Sequence, residues 1–188
     1  KEVPGELYVS SITQGDAGLK YIGATSETNV ELMVVRVSAT AGEDKIVNSI
    51  RVSLHSESGG IVDTDLTNLQ VFIDKGTIGS YDASDVAISG LISQPSGMIV
   101  LFNITGFTVK ENTVTNLLIV FGHKSLNYGD RIQGIVKTNW IEYYGNYTIY
   151  TDTAEGINVY GVVKEVPGEL YVSSITQGDA GLKYIGAT

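Results

Sequence analysis

Apolar and polar residues alternate along several short segments of the chain, with the period of two that is typical of half-buried β-strands. Every second position is apolar in segment 69–73, and also in segment 46–55 with the exception of Asn48. Segments 30–37, 98–104 and 117–121 are apolar on both faces, as expected of strands at the centre of a sheet. Further strands are predicted at 132–136, 147–150 and 157–163.

Glycine, proline, asparagine and aspartate separate these segments, for example at 58–60, 95–97 and 127–130, which predicts tight turns. No long stretch has a helical period. Many short strands at this spacing indicate an all-β fold in one domain. We expect an antiparallel β-sandwich or jelly roll of about nine or ten strands.

The composition supports a globular protein, since 43% of the 188 residues are hydrophobic and 18% are charged. The formal net charge of −9 argues against nucleic acid and against anionic membranes as partners, and it is compatible with cation binding. The absence of cysteine excludes disulfides and thiolate metal sites. Neither a signal peptide nor a membrane span is predicted, so an exported protein would be present here in its mature form.

The first 25 residues, KEVPGELYVSSITQGDAGLKYIGAT, recur letter for letter at 164–188. Because natural repeats drift, an exact copy suggests an engineered duplication, or a neighbour's segment joined to the chain. The sequence therefore divides into a subunit at 1–163, with its own N-terminal segment, and an appended copy at 164–188.

The repeated segment has the pattern of a donor strand, a strand that completes the fold of a neighbouring molecule. Leu7 and Val9 alternate with Tyr8 and Ser10, and Ile12 follows. A fold that lacks one strand leaves unpaired backbone groups in a groove, and a neighbour can fill it by donor-strand complementation. An appended copy would let a molecule fill its own groove. The alternative is a duplicated terminal strand without polymerisation. The corresponding residues of the second copy are Leu170, Tyr171, Val172 and Ile175.

The sequence contains no catalytic motif, and we expect that the protein is not an enzyme. His55 and His123 are the two histidines, and each is predicted to lie on the surface or at the end of a strand. Nucleophile-elbow, zinc-protease and phosphate-loop motifs are absent from the sequence.

Acidic loops are the candidate metal sites, because calcium takes six to eight oxygen ligands that loop carboxylates and carbonyls can supply. For any one loop, the alternative is a solvated acidic surface. The candidate calcium ligands are Asp63, Asp65 and Asn68; Asp82 and Asp85; Glu43 and Asp44; and Asp152 and Glu155.

An aromatic-rich stretch offers a second kind of site. Trp140, Tyr143 and Tyr144 could form a platform for carbohydrate, although strand packing also explains them. Asn146 begins a glycosylation sequon that would matter in an exported protein.

The repeated segment 1–25, the cysteine-free strand-rich chain and the acidic loops around Asp63, Asp65, Asp82 and Asp85 together resemble extracellular subunits joined by donor-strand complementation. Among these, the chain is most similar in character to the cannula proteins of hyperthermophilic archaea. That resemblance implies an extracellular filament or tubule, a homopolymer formed by strand addition, and assembly driven by calcium. The other function considered is a secreted carbohydrate-binding or adhesive β-sandwich module.

Overall fold

The computed structural model describes residues 5–12, 21–147 and 150–168. Nearly all regular structure in these ranges is β, with short 3-10 turns at Asp63–Asp65 and Thr138–Trp140. The strands are β1 (Leu7–Ser10), β2 (Glu27–Ala39), β3 (Lys45–Ser56), β4 (Leu66–Ile73), β5 (Val86–Ala87), β6 (Ile99–Asn103), β7 (Thr108–Val109), β8 (Val114–His123), β9 (Arg131–Val136), β10 (Ile141–Gly145), β11 (Asp152–Thr153), β12 (Glu155–Gly156), β13 (Val159–Tyr160) and β14 (Lys164–Glu165).

The strands form two curled sheets, and the all-β, sandwich-like fold predicted from the sequence is confirmed. The first sheet has the order β12-β1-β2-β8-β4-β5. The second has the order β11-β10-β3-β9-β13, with β14 paired to β9 and both β6 and β7 paired to β3. All pairings between these strands are antiparallel except that of β1 with β12, which is parallel.

Two long strands form the centre of the first sheet. Strand β2 pairs with β8 along most of its length, and β8 in turn pairs with β4. Residues 117–121 of β8 are all buried, and so are residues 32–35 of β2, which confirms that these segments are central strands. Their unbroken apolar sequence follows from burial on both faces.

The interpretation of 98–104 as a central strand is wrong. Strand β6 pairs only with β3 among the described strands, and its residues alternate between exposed and buried. Ile99 and Leu101 face outwards, with 62% and 46% of their surface exposed. An apolar run in the sequence did not distinguish a buried strand from one that carries apolar residues on its outer face.

The strand count also differs from the expectation of nine or ten, because the described chain contains fourteen. The additional strands are two-residue pairings, which produce no periodic pattern in a sequence. The predicted strand at 157–163 is reduced to Val159–Tyr160, and Tyr147 and Tyr150 lie in bends, with 148–149 outside the described residues. Across the described ranges, no helix has the length and apolar character needed to cross a membrane.

Candidate strand-docking sites

Strand β1, from the first copy of the repeat, lies inside the first sheet, where it has a neighbour on each side. It pairs antiparallel with β2, so that Leu7 is opposite Ala39 and Ser10 is opposite Arg36. On its other side it pairs in parallel with β12. We call the space between residues 36–39 of β2 and strand β12 the β1 groove. The first copy fills this groove, and the sequence alone had left open which of the two copies would do so.

The side chains of β1 alternate as the period-2 pattern predicts. Leu7 and Val9 are 0% and 1% exposed and belong to the main hydrophobic core, whereas Tyr8 faces outwards. Ile12 is partly buried against a second, smaller cluster that includes Phe72. Complete burial of a leucine or valine side chain stabilises a fold by about 1.5–3 kcal/mol. The two inward residues therefore hold β1 in the groove.

Two glycines allow the backbone to approach β1 closely. Gly156 of β12 has a φ of +109°, and a Cβ at that position would lie 2.2 Å from the carbonyl oxygen of Val9. A Cβ on Gly5 would lie 2.5 Å from the carbonyl oxygen of Ala41. Any larger residue at either position would therefore displace the strand from its neighbour.

Tyrosines and carboxylates surround β1. The Tyr8 hydroxyl donates a hydrogen bond of 2.7 Å to Glu6, and this bond and the Glu6 charge raise the pKa of Tyr8. Tyr143 is buried beneath the strand and is hydrogen-bonded to the backbone of Leu7. Burial raises the pKa of Tyr143, and the charges of Asp152, Glu6 and Glu155 raise it further. The groove is thus apolar on its inner face and acidic around its rim.

The start of the second copy occupies a different position. Lys164 and Glu165 form β14 on the β9 residues Ile132 and Arg131. Val166 exchanges backbone hydrogen bonds with Gly129 and Asp130, at 2.8 and 2.9 Å. Lys164 and Val166 are both 0% exposed.

A second contact closes this position from the opposite side. The N–H of Ile22 donates a 3.0 Å hydrogen bond to the carbonyl of Glu165, and Tyr21 pairs with Glu165 in parallel. We call the position between residues 129–132 and residues 21–22 the head site, because it holds the first three residues of a repeat. It is a buried, two-sided strand position like the β1 groove.

The two sites lie at opposite ends of β2. Leu7, the first residue of β1, is opposite Ala39 at the C-terminal end. The head site is next to the N-terminal end, because Ile22 is followed by Gly23, where a Cβ would lie 2.5 Å from the Glu27 carboxylate. The molecule therefore holds different parts of the same repeated sequence at two separated places.

Among the predicted metal ligands, Glu43 and Asp44 have lysine partners. Lys45 Nζ lies 2.9 Å from Glu43 Oε1 in a buried ion pair, and Lys110 Nζ lies 2.6 Å from Asp44 Oδ2. The hydrogen bond from Lys110 is the main cause that lowers the pKa of Asp44. Each of these two carboxylates thus has an ammonium group bound to one of its oxygens.

The other predicted ligands are spread over the surface. Asp65 accepts a 3.0 Å hydrogen bond from the N–H of Val62 within the turn at Asp63–Asp65, and Asn68 follows in β4 with a φ of +52°. Asp152 and Glu155 are exposed on β11 and β12 beside the β1 groove. Within the described ranges, no group of three or more histidine, cysteine, aspartate or glutamate residues is arranged to hold a metal ion.

The loop that follows β4 contains an acidic residue that sequence reasoning missed. Asp74 is 8% exposed, accepts a 2.9 Å hydrogen bond from Gly79 through Oδ2, and has no hydrogen-bond partner for Oδ1. Burial raises the pKa of Asp74, and the charges of Asp85 and Asp82 raise it further, so these three carboxylates are neighbours. In the sequence, Asp74 is only the polar residue that ends an apolar strand.

Asp82 and Asp85 act mainly as acceptors for their own loop. Asp82 accepts hydrogen bonds from the hydroxyl and the N–H of Ser84, and these bonds lower its pKa. Asp85 accepts hydrogen bonds of 2.8 and 3.0 Å from the backbone N–H groups of Lys75 and Asp82. The oxygen of Asp74 that has no hydrogen-bond partner distinguishes this residue from the other two carboxylates of the loop.

The predicted carbohydrate platform is not a single surface. Tyr143 is 3% exposed under the β1 groove, whereas Tyr144 faces the opposite side of β10. Trp140 is partly buried, and the Lys137 ammonium lies 5.0 Å from its ring centroid. The most exposed aromatic side chains nearby are Tyr147 and Tyr150, at 88% and 78%.

The two histidines lie apart. His55 is exposed on β3, and His123 is buried at the end of β8, where its ring contacts the carbonyl of Lys124 at 2.6 Å and Glu27 at 3.4 Å.

No protein-family model and no curated protein sequence matches the chain.

Proposed function

We propose that the protein is a structural subunit of an extracellular filament or tubule, and that it polymerises by exchange of the β1 strand between molecules. The observation that supports this most is the position of β1. A segment present twice in the chain forms, in one copy, an internal strand of the sheet with buried Leu7 and Val9. A strand that has a neighbour on each side and also belongs to a duplicated terminal segment is suited to being supplied by another molecule.

The energetic reason is the state of the groove without its strand. Removal of β1 would leave the facing edges of β2 and β12 unpaired and would expose the core next to Leu7 and Val9. Each buried backbone group left without a partner costs about 1–3 kcal/mol. An identical strand from another molecule restores every one of these contacts, so the empty groove has high affinity for it.

Calcium is the proposed ligand that assists assembly. With a net charge of −9, approaching subunits repel one another, and a bound divalent cation reduces that repulsion. The loop of Asp74, Asp82 and Asp85 is the candidate position, because Asp74 has a carboxylate oxygen without a hydrogen-bond partner and two further carboxylates close by. These three carboxylates are not themselves arranged as a metal site, so calcium would have to draw them together. We expect calcium to raise the melting temperature of the protein, and we expect Asp74→Asn to remove that increase while Asp63→Asn retains it. An equal increase in both variants would contradict this site.

Polymerisation is tested by electron microscopy of the chain that ends at Val163, with and without millimolar calcium. We expect filaments or tubes, and we expect Leu7→Asp with Val9→Asp to abolish them. Leu101→Asp with Val114→Asp is the matched control, because these residues are 46% and 59% exposed. A well-folded monomer under both conditions would contradict the proposal.

The second candidate function is a carbohydrate-binding or adhesive module on the cell surface. The exposed side chains of Tyr144, Tyr147 and Tyr150 favour it, because aromatic faces stack on sugars. Glycan binding by a stable monomer that is lost in Tyr147→Ala would support this function. Binding unchanged by this substitution would exclude Tyr147 from the binding site.

A further inference from the structure

We propose that one copy of the repeat joins two molecules: its first three residues occupy the head site of one molecule, and its residues 7–10 occupy the β1 groove of the next. This inference rests on the proposed function, since it assumes that the groove accepts a strand from a neighbour. It adds the polarity of the assembly and a second docking site that the repeat uses.

The reach of the chain is the first argument. In the second copy, residues 164–166 are fixed in the head site, and Leu170 is the residue that corresponds to Leu7. Leu170 is four residues after Val166, so it can lie at most about 14 Å from Val166. The head site and the position of Leu7 lie near opposite ends of the 13-residue strand β2, which is about 40 Å long at 3.3 Å per residue. A second copy anchored at its start is therefore too short to fill the groove of its own molecule, and only another molecule's groove is within reach.

The strength of the anchor is the second argument. Residues 164–166 have backbone hydrogen bonds on both sides, to Asp130 and Gly129 and to Ile22. Val166 belongs to the main core, and the Arg131 guanidinium lies 3.2 Å from the Glu165 carboxylate. The head site therefore recognises its three residues by backbone pairing, a buried valine pocket and a charge. This is the set of contacts with which strand-addition sites bind peptides.

The repeat connects the two sites with a short linker. After the valine at its third position come Pro-Gly-Glu, and the strand begins at the seventh position. Proline cannot donate a backbone hydrogen bond to a ladder, so the strand paired in the head site ends there. The Glu6 backbone is held at the C-terminal end of β2 through hydrogen bonds of 2.7 and 3.0 Å with Thr40. One molecule's head-site end must therefore adjoin the Thr40 end of the next.

The same junction forms from either copy. The second copy of one molecule can keep its first three residues in its own head site and donate Leu170–Ser173 to the β1 groove of the next molecule. Alternatively, the first copy of the next molecule can keep β1 in its own groove and place Lys1–Val3 in the head site of its neighbour. Both produce a head-to-tail contact between different surfaces, and such a contact continues into a chain or closes into a ring.

Identical strands compete for each groove. Because residues 7–10 and 170–173 have the same sequence, the paired states have nearly the same energy, and tethering decides between them. A strand tethered to its own groove is present at an effective concentration of roughly millimolar or more. Because the full chain also fills its own head site with residues 164–166, it is expected to be a monomer at micromolar concentration and to associate once its own β1 is disabled. The chain that ends at Val163 leaves its head site open to a neighbour.

The test is a disulfide crosslink in the full chain, which has no native cysteine. Tyr8 is opposite Ser38 in the β1–β2 ladder, so Tyr171→Cys in a docked second copy would face Ser38→Cys. The β1 strand of each molecule is kept out of its own groove by the substitutions Leu7→Asp and Val9→Asp. The control, Tyr8→Cys with Ser38→Cys in the otherwise unmodified chain, should close within one molecule, because Cα atoms of paired strands lie within disulfide range.

We expect the Tyr171→Cys, Ser38→Cys protein to form a ladder of dimers and higher multimers on a non-reducing gel. A disulfide that forms only within one molecule would overturn the two-molecule geometry and leave strand addition intact. No disulfide, while the control closes, would overturn both this inference and the proposed function.

The experiment remains informative if the disabled strand prevents folding. With the first copy unmodified, the same cysteine pair should give multimers whose yield rises with protein concentration towards the millimolar range. If no disulfide-linked multimer forms even at millimolar concentration, or if the disulfide closes only within single molecules, the inference is overturned.

Discussion

The β1 groove and the head site hold two parts of the same repeated sequence by different means. In the groove, Leu7 and Val9 insert into the core, and the rim is acidic. In the head site, a buried Val166 is accompanied by the buried Lys164 and by the ion pair of Glu165 with Arg131. The comparison indicates that apolar burial determines the affinity of the groove, whereas the head site adds charge recognition to a shorter strand.

The largest effect is expected from truncation inside the groove. Leu7→Ala removes a fully buried side chain and should lower the free energy of unfolding by about 3 kcal/mol, within the range for leucine truncation in cores. Urea denaturation at low micromolar concentration measures it. Leu101→Ala, at a 46% exposed position, should change stability by less than about 0.5 kcal/mol. Equal effects of the two substitutions would contradict the assignment of β1 as a core strand.

A smaller effect is expected on the β12 side of the groove. Gly156→Ala introduces a Cβ 2.2 Å from the Val9 carbonyl oxygen in addition to the cost of a positive φ. Gly97→Ala is the matched control, because Gly97 also has a positive φ, of +144°, but a Cβ there would meet no atom within 4 Å. The control should cost about 1 kcal/mol, and Gly156→Ala about 2 kcal/mol. The same loss in both variants would show that β12 does not pack tightly on β1.

At the head site, loss of the ion pair should have a modest effect. Arg131→Ala removes the partner of Glu165, and both side chains are partly exposed, at 48% and 23%. Pairs of this kind contribute at most about 1 kcal/mol, and salt weakens them. The difference in melting temperature between wild type and variant should therefore shrink as sodium chloride is raised. A difference that does not depend on salt would show that packing, rather than charge, determines the effect.

The smallest effect is expected in the pH dependence of stability, through the ion pair of Asp44 with Lys110. Lys110 lowers the pKa of Asp44 in the folded protein. A lowered folded-state pKa stabilises the fold above the unfolded value of 3.8, and this contribution is lost as the pH falls through the folded-state pKa. Asp44→Asn should therefore be less stable than wild type at neutral pH and approach it in acid. A constant difference across the pH range would contradict this linkage.

Much of the fold could be predicted from local pattern. The period of two predicted that Leu7 and Val9 point inwards and Tyr8 outwards, and the described structure confirms it. The same reasoning identified the central positions of β2 and β8. It failed for β6, because Ile99 and Leu101 are apolar residues on an exposed face, and for the two-residue strands, which exist only through their pairing partners.

The sites depended on contacts that no local pattern records. Lys110 reaches Asp44 across 66 residues of sequence, so a predicted calcium ligand has a lysine partner. Asp74 lies next to Asp82 and Asp85 only because the loop turns back on itself. The head site unites residues 21–22, 129–132 and 164–166, and in the sequence its start appears only as the first letters of a repeat. Leu170, Tyr171, Val172 and Ile175 lie outside the described residues.

The most direct test of the central claim is the mass in solution of the full chain that carries Leu7→Asp and Val9→Asp, measured by light scattering. With its own β1 disabled, the groove should take the second copy from a neighbour, and multimers should form. Addition of Leu170→Asp and Val172→Asp should abolish them. A folded monomer before the second pair of substitutions would contradict strand exchange.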